Sequence, residues 1–257
     1  MVSAVRARPL SGEHRRVVRA LRALAAPSGA VGLSEYLGSP VPVLGVRTPA
    51  LRSVVHETVR RFRGAPRRQL RALARALWQG RTFEEKMVAI ELMGRPPLVD
   101  DEAAWRLCAR WVDAATGWAL SDSLAAGPLA SQVGAHPERF PELLRWARSE
   151  NIWRRRASAY ALRAWVRSGE LDRPFELLER LLDDPERWVQ RAVGTWLREC
   201  WKKDQQRTER FLRREVNRLT PVAITVATER APKRFREELR HSARRRRDES
   251  SAGRRRF

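Results

Sequence analysis

Cysteine and histidine are scarce in this chain, and their scarcity excludes whole classes of chemistry. Cys108 and Cys200 are the only cysteines, 92 residues apart with no CxxC pair, which argues against a disulfide scaffold or a cysteine-ligated zinc site. The four histidines, at 14, 56, 136 and 241, show no HExxH or other metal-ligand spacing, so neither a metal nor a cofactor is expected. Lysine is nearly missing too: it supplies four of the 52 basic residues (86, 202, 203 and 233) and arginine the rest. No stretch approaches the ~18 apolar residues of a membrane span. The opening MVSAVRARPLSGEH lacks the apolar centre of a leader, so a cytoplasmic protein with no membrane partner is the expectation.

What is present is a folded, strongly basic protein. Hydrophobic residues make up 43% and charged residues 32% of 257, enough for a sizeable core under a polar surface. The 52 basic residues face only 30 acids, and a net charge of +22 calls for a polyanionic partner. Codon bias explains arginine in place of lysine, but not the surplus over acids. From Arg230 to the end the balance is +8, leaving +14 for residues 1–229. The body is therefore basic without its tail. That tail, 230–257, reads as a helix fraying into disorder; it either adds phosphate attraction or is a solvated terminus.

Helical spacing runs through the chain and no segment alternates at period two. Val17, Leu21 and Leu24 stand at i, i+4 and i+7 in an N-terminal helical cap of about 11–38. Pro40, Pro42 and Pro49 interrupt the next segment, and Thr48-Pro49 reads as the cap and first residue of a new helix. Further helices are expected near 66–79, 82–94, 98–114, 119–133, 137–148, 152–167, 173–183, 185–202, 204–217 and 220–230. Above them sits a repeat. NIWRRRA at 151–157 matches ERWVQRA at 186–192, so aromatics recur every 35 residues, at 83, 118, 153 and 188. A unit of that length holds two short antiparallel helices. The expected fold is all-α, an α-solenoid of HEAT-like repeats with a concave basic face.

Two constellations carry chemistry. Trp118 and Asp122 are four apart and share one helix face, an aromatic wall beside a carboxylate that suits a cation. Read blandly, the pair is a core tryptophan and a helix cap. Arg156 is in phase with Arg191 and with Lys86, a row of cations that could follow phosphates or simply cover helix surfaces.

Taken in order, these pieces resemble the AlkD-like DNA alkylation repair proteins, helical-repeat DNA glycosylases. The similarity runs from about Leu33 to Cys200: Tyr36, then VLGVRTPALR, Leu77-Trp78, FEEKMVAIELM, Trp118-x-x-x-Asp122, SENIWRRRA and VQRAVGTWLRE. The resemblance implies excision of cationic bases such as 3-methyladenine and 7-methylguanine from duplex DNA, by a monomer, in an open cleft rather than a base-flipping pocket. It places Asp122 on the catalytic carboxylate and Trp118 on a wall of the lesion cleft. Arg156 falls on a DNA-contacting arginine, and Tyr36, Arg47 and Arg198 on further cleft or DNA-contacting positions. Arg47 stands where the family usually has Gln. The second tryptophan wall falls on Thr195, with Trp196 next to it; one residue is about 100° of helix rotation, so the neighbour does not simply replace it. Ala119 also stands where an acid often follows the tryptophan. Two rivals remain: a DNA-binding module of the same fold that cleaves nothing, and a protein-binding scaffold.

Overall fold

A computed structural model describes residues 10–254 apart from 39, 40 and 97, with side chains as far as 245. No strand occurs among the described residues. Contacts divide the chain into two compact units, Met1–His136 and Pro137–Phe257.

The first unit contains α1 (Leu10–Ala23), α2 (Leu33–Leu37), α3 (Thr48–Arg61), α4 (Arg67–Trp78), α5 (Phe83–Met93), α6 (Glu102–Ala114), α7 (Trp118–Leu124) and α8 (Ala130–Ala135). Helix α5 is its centre, packed by α1, α3, α4, α6 and α7. Its sequence explains that position: Val88, Ala89, Ile90, Leu92 and Met93 are all buried, so apolar residues point in every direction. Its start is fixed by a capping box, in which the Thr82 hydroxyl accepts from the Glu85 N–H and the Glu85 carboxylate accepts from the Thr82 N–H. In α3, Leu51, Val54, Val55 and Thr58 form a stripe at i, i+3, i+4 and i+7 facing the core.

The second unit contains α9 (Phe140–Trp146), α10 (Ile152–Tyr160), α11 (Arg163–Ser168), α12 (Asp172–Arg180), α13 (Arg187–Trp201), α14 (Gln205–Arg214), α15 (Pro221–Ala227) and α16 (Lys233–Arg254). Here α13 is central, packed by α10, α12, α14 and α15. The α13–α15 approach needs a glycine: a Cβ at Gly194 would lie 2.7 Å from the Val226 Cβ. Helix α16 packs on α15 and buries Phe235, Leu239 and Ala243, four residues apart each time.

The 35-residue ladder acquires a structural meaning. Phe83 and Trp118 are the first residues of α5 and α7, and Trp153 and Trp188 the second residues of α10 and α13. Each aromatic opens the second helix of a pair. Three expectations shift. The helix expected over 119–133 is broken by a π turn at Ala125–Leu129, because Pro128 has no N–H for the ladder and Gly127 leaves helical geometry (φ −94°, ψ −105°). The helix expected over 152–167 turns at residues 161–162. Arg47, not Thr48, occupies the N-cap of α3, with no side-chain capping bond. Pro40, one of the three interrupting prolines, lies outside the described residues.

Candidate functional site

In the first unit the site is built around the start of α7. Gly117 has φ +81°, a conformation that disfavours any side chain, and a Cβ there would overlap the carbonyl of Gly38. Two glycine backbones in contact thus bring the end of α2 against the start of α7. The Trp118 Nε1–H then donates to the Tyr36 carbonyl at 2.8 Å. The rings meet edge to face, centroids 5.5 Å apart at 84°, a favoured aromatic geometry. Tyr36 is 68% exposed, while Trp118 is half-buried. Asp122, one turn along α7, shares the Trp118 face and is 9% exposed.

Arg47 stands exposed at the mouth of α3, at the end of a segment pinned from below. The buried Glu84 carboxylate accepts the backbone N–H groups of Leu44 (2.9 Å), Gly45 (2.9 Å) and Val46 (3.3 Å). Sequence reading passed over Glu84 because its partners lie some 40 residues away. Lys86 sits differently from a surface cation. Its ammonium donates to the Trp78 carbonyl at 2.6 Å, 5.2 Å from the Trp78 ring centroid, and burial draws its pKa below the ordinary value.

In the second unit Arg156 is 4% exposed. Its guanidinium donates to the Trp188 carbonyl and to the Tyr160 hydroxyl (3.2 Å), and lies 4.9 Å from the Tyr160 ring and 5.8 Å from the Trp188 ring. Arg191 is exposed. Arg198 is committed to Glu229 and, at 3.4 Å, to Glu199. The Thr195 hydroxyl donates to the Arg191 carbonyl at 2.8 Å and the residue is half-buried. Trp196 is 6% exposed, edge-on to Tyr160 at 5.7 Å, and α13 passes unbroken through both positions. The one-residue rotation is thus not compensated by a shift in the helix, and Trp196 belongs to the packing of the second unit.

The structure therefore joins Tyr36 to Trp118, sets Asp122 on the same helix face, and gathers Arg156 with Tyr160 and Trp188. A half-buried indole next to a carboxylate accommodates a flat cationic group. Among the described residues, no cluster is able to hold a metal ion and no helix is long and apolar enough to cross a membrane.

Comparisons with known proteins point one way. A family model described as "DNA alkylation repair enzyme" matches residues 17–231. Among solved structures, a predicted DNA alkylation repair enzyme from Enterococcus faecalis superposes with a TM-score of 0.70 at 21% identity, covering 81% of this chain and 97% of its own. Protein smu.31 of Streptococcus mutans UA159 gives 0.60 at 18% identity, covering 84% and 98%. AlkD2 of Streptococcus mutans gives 0.57 at 18% identity, covering 69% and 88%. These likenesses describe a shared helical-repeat fold. No curated protein sequence matches.

Proposed function

Since the chain belongs to the DNA alkylation repair enzyme family, we propose that it is a monofunctional DNA glycosylase releasing cationic alkylated purines, of the 3-methyladenine and 7-methylguanine type, from duplex DNA. The observation that carries the reading is the Trp118–Asp122 face, steadied by the bond from Trp118 to the Tyr36 carbonyl.

Alkylation at N3 or N7 makes the purine positive, so it already leaves well and needs little acid help. As the C1′–N bond lengthens, the electron pair goes to the departing base and positive charge gathers on the sugar. A fixed Asp122 carboxylate stabilises that charge and orients the water that attacks C1′, taking up the water's proton. The Trp118 indole holds the cationic nucleoside through cation–π contact. The products are a free base and an abasic sugar; the chemistry asks for no metal or cofactor. Lys86, turned to the Trp78 carbonyl, supports hydrolysis without a lysine nucleophile. Arg47 and Arg191, both exposed, serve in this reading as phosphate contacts. Arg198 and Lys86 serve only if they leave their present partners, and Arg156 acts on DNA through the residues it holds.

A second reading, a DNA-structure-binding protein that cleaves nothing, draws support from Thr195 and the buried Trp196, which leave that stretch of α13 without an exposed aromatic ring. One assay separates them. Methylated duplex DNA incubated with the protein should release 7-methylguanine, read by chromatography of the free base. Asp122→Asn should reduce release ~100-fold or more, as for loss of a main electrostatic group, with DNA affinity nearly unchanged. Wild-type release no higher than background would establish the non-cleaving reading.

A further inference from the structure

Leu24, Val31, Tyr36 and Trp188 are the exposed large hydrophobic side chains among the described residues, and of these only Tyr36 and Trp188 are aromatic. Tyr36 is accounted for at the Trp118 face; Trp188, 42% exposed, is not. We propose that Trp188, with Arg187 and Arg191, is a second DNA contact, at which the arginines take backbone phosphates and the indole packs against a sugar or base. This rests on DNA being the partner, as in the reading above.

Three observations support it. First, the ring is held still before any ligand arrives. Trp153 lies against it at 6.3 Å and 43°, and the buried Arg156 guanidinium sits 5.8 Å from its centroid while bonded to the Trp188 carbonyl. A pre-fixed aromatic loses little freedom on binding. Second, the flanking charges are available. Arg187 and Arg191 are exposed, and neither side chain has an ion-pair or hydrogen-bond partner among the described residues. Elsewhere in the same unit Arg207, Arg214 and Arg218 are neutralised by Asp172, Glu179 and Asp183. Third, the three residues lie on one stretch of α13: Arg191 is four residues from Arg187, about 6 Å along the axis, and three from Trp188, spacings that make it a surface neighbour of both. Positive charge along one side of a flat apolar surface complements a nucleic-acid strand, whose phosphates run beside its sugars and bases. An acidic peptide would match the arginines but leave the indole facing water. Trp188 and Thr195 are seven residues apart on the same helix face, so this contact lies two turns toward the N-terminus from Thr195.

The test uses the full chain and a fluorescein-labelled, undamaged duplex, with affinity read by anisotropy at several salt concentrations. Trp188→Ala should bind about tenfold more weakly with the salt slope unchanged, and Trp188→Phe should recover part of the loss. Arg187→Gln/Arg191→Gln should reduce the slope of log affinity against log salt by about two, the sign of two lost phosphate contacts. Circular-dichroism melting verifies that each variant is folded. A folded Trp188→Ala that binds within twofold of wild type, or a double variant with the original slope, overturns the proposal. The duplex carries no lesion, so a wild type that binds it through Trp188 yet releases no 7-methylguanine from the methylated duplex would defeat the glycosylase reading alone. A wild type with no affinity for DNA would defeat both.

Discussion

Glu84 is 2% and Glu13 6% exposed, and each is buried against several donors at once. For Glu84 the donors are the neutral N–H groups of residues 44–46, just ahead of Arg47. Glu84→Gln puts a second donor where an acceptor is needed. The expected cost is about 2–3 kcal/mol in urea denaturation, the scale for a charged hydrogen-bonding group removed from buried partners. Glu13 is held by Arg61 (2.6 Å) and Arg16 (2.9 Å), which bring its pKa from the ordinary 4.5 to about 2. A depressed carboxyl pKa stabilises the fold above the unfolded value and loses that contribution as pH falls through the folded one. Wild type should therefore exceed Glu13→Gln by about 1–2 kcal/mol at pH 7, a figure reduced for the solvent around both arginines. The gap should close between pH 4.5 and 2, followed by denaturation at stepped pH. The local half of this chemistry was legible in the sequence where Trp118-x-x-x-Asp122 marks a shared face; the Thr82–Glu85 capping box has the same short range but went unread. The partners of Glu84 and the Arg61 that holds Glu13 lie 38 to 48 residues away, and no spacing rule reaches that far.

Helix positions were readable where an apolar stripe repeats every three or four residues and where Pro, Asp, Asn or Thr marks the start, as at α3, α6, α10, α14 and α15. The π turn was also marked, by Gly127-Pro128, although the apolar period continues through it. The turn at 161–162 has no breaker residue and comes from packing alone, both residues being fully buried. One further consequence of the 35-residue period is ionic. Asp172 pairs with Arg207, Glu179 with Arg214 and Asp183 with Arg218, each partner one repeat on, while Phe175 stacks on Phe211 at 4.7 Å. The first helix of one pair is stitched to that of the next. Arg218 is the hub, reaching Asp183 (2.6 Å), Glu215 (3.2 Å) and the Glu179 carbonyl (2.9 Å). Asp183 is well solvated, and the buried Glu215 keeps its pair with Arg214, so Arg218→Ala should cost about 1 kcal/mol in thermal denaturation, and the cost should shrink in high salt.

At the scale of the molecule the charge of +22 pointed to a polyanion from the start, and the family match agrees with that direction. What composition could not say is which arginines are already spent on carboxylates. It also left the end of the chain as a helix fraying into disorder, either a phosphate attractor or a solvated terminus. The first half of α16 is anchored: Phe235 lies 5.2 Å from the Trp201 ring, under the Arg213 guanidinium at 4.9 Å. Phe235→Ala should destabilise the protein by about 3 kcal/mol, seen as a lower melting temperature, whereas substitution of the exposed Arg244 should leave melting unchanged. The two thiols have a use of a different kind. Cys108 and Cys200 are fully buried, and burial lifts both pKa values, that of Cys200 to about 12, so neither supplies a reactive thiolate in the native state. One belongs to each compact unit. Brief exposure to a maleimide dye, followed by peptide mapping, would therefore time the opening of each half separately, with no engineered label and no background from the intact protein.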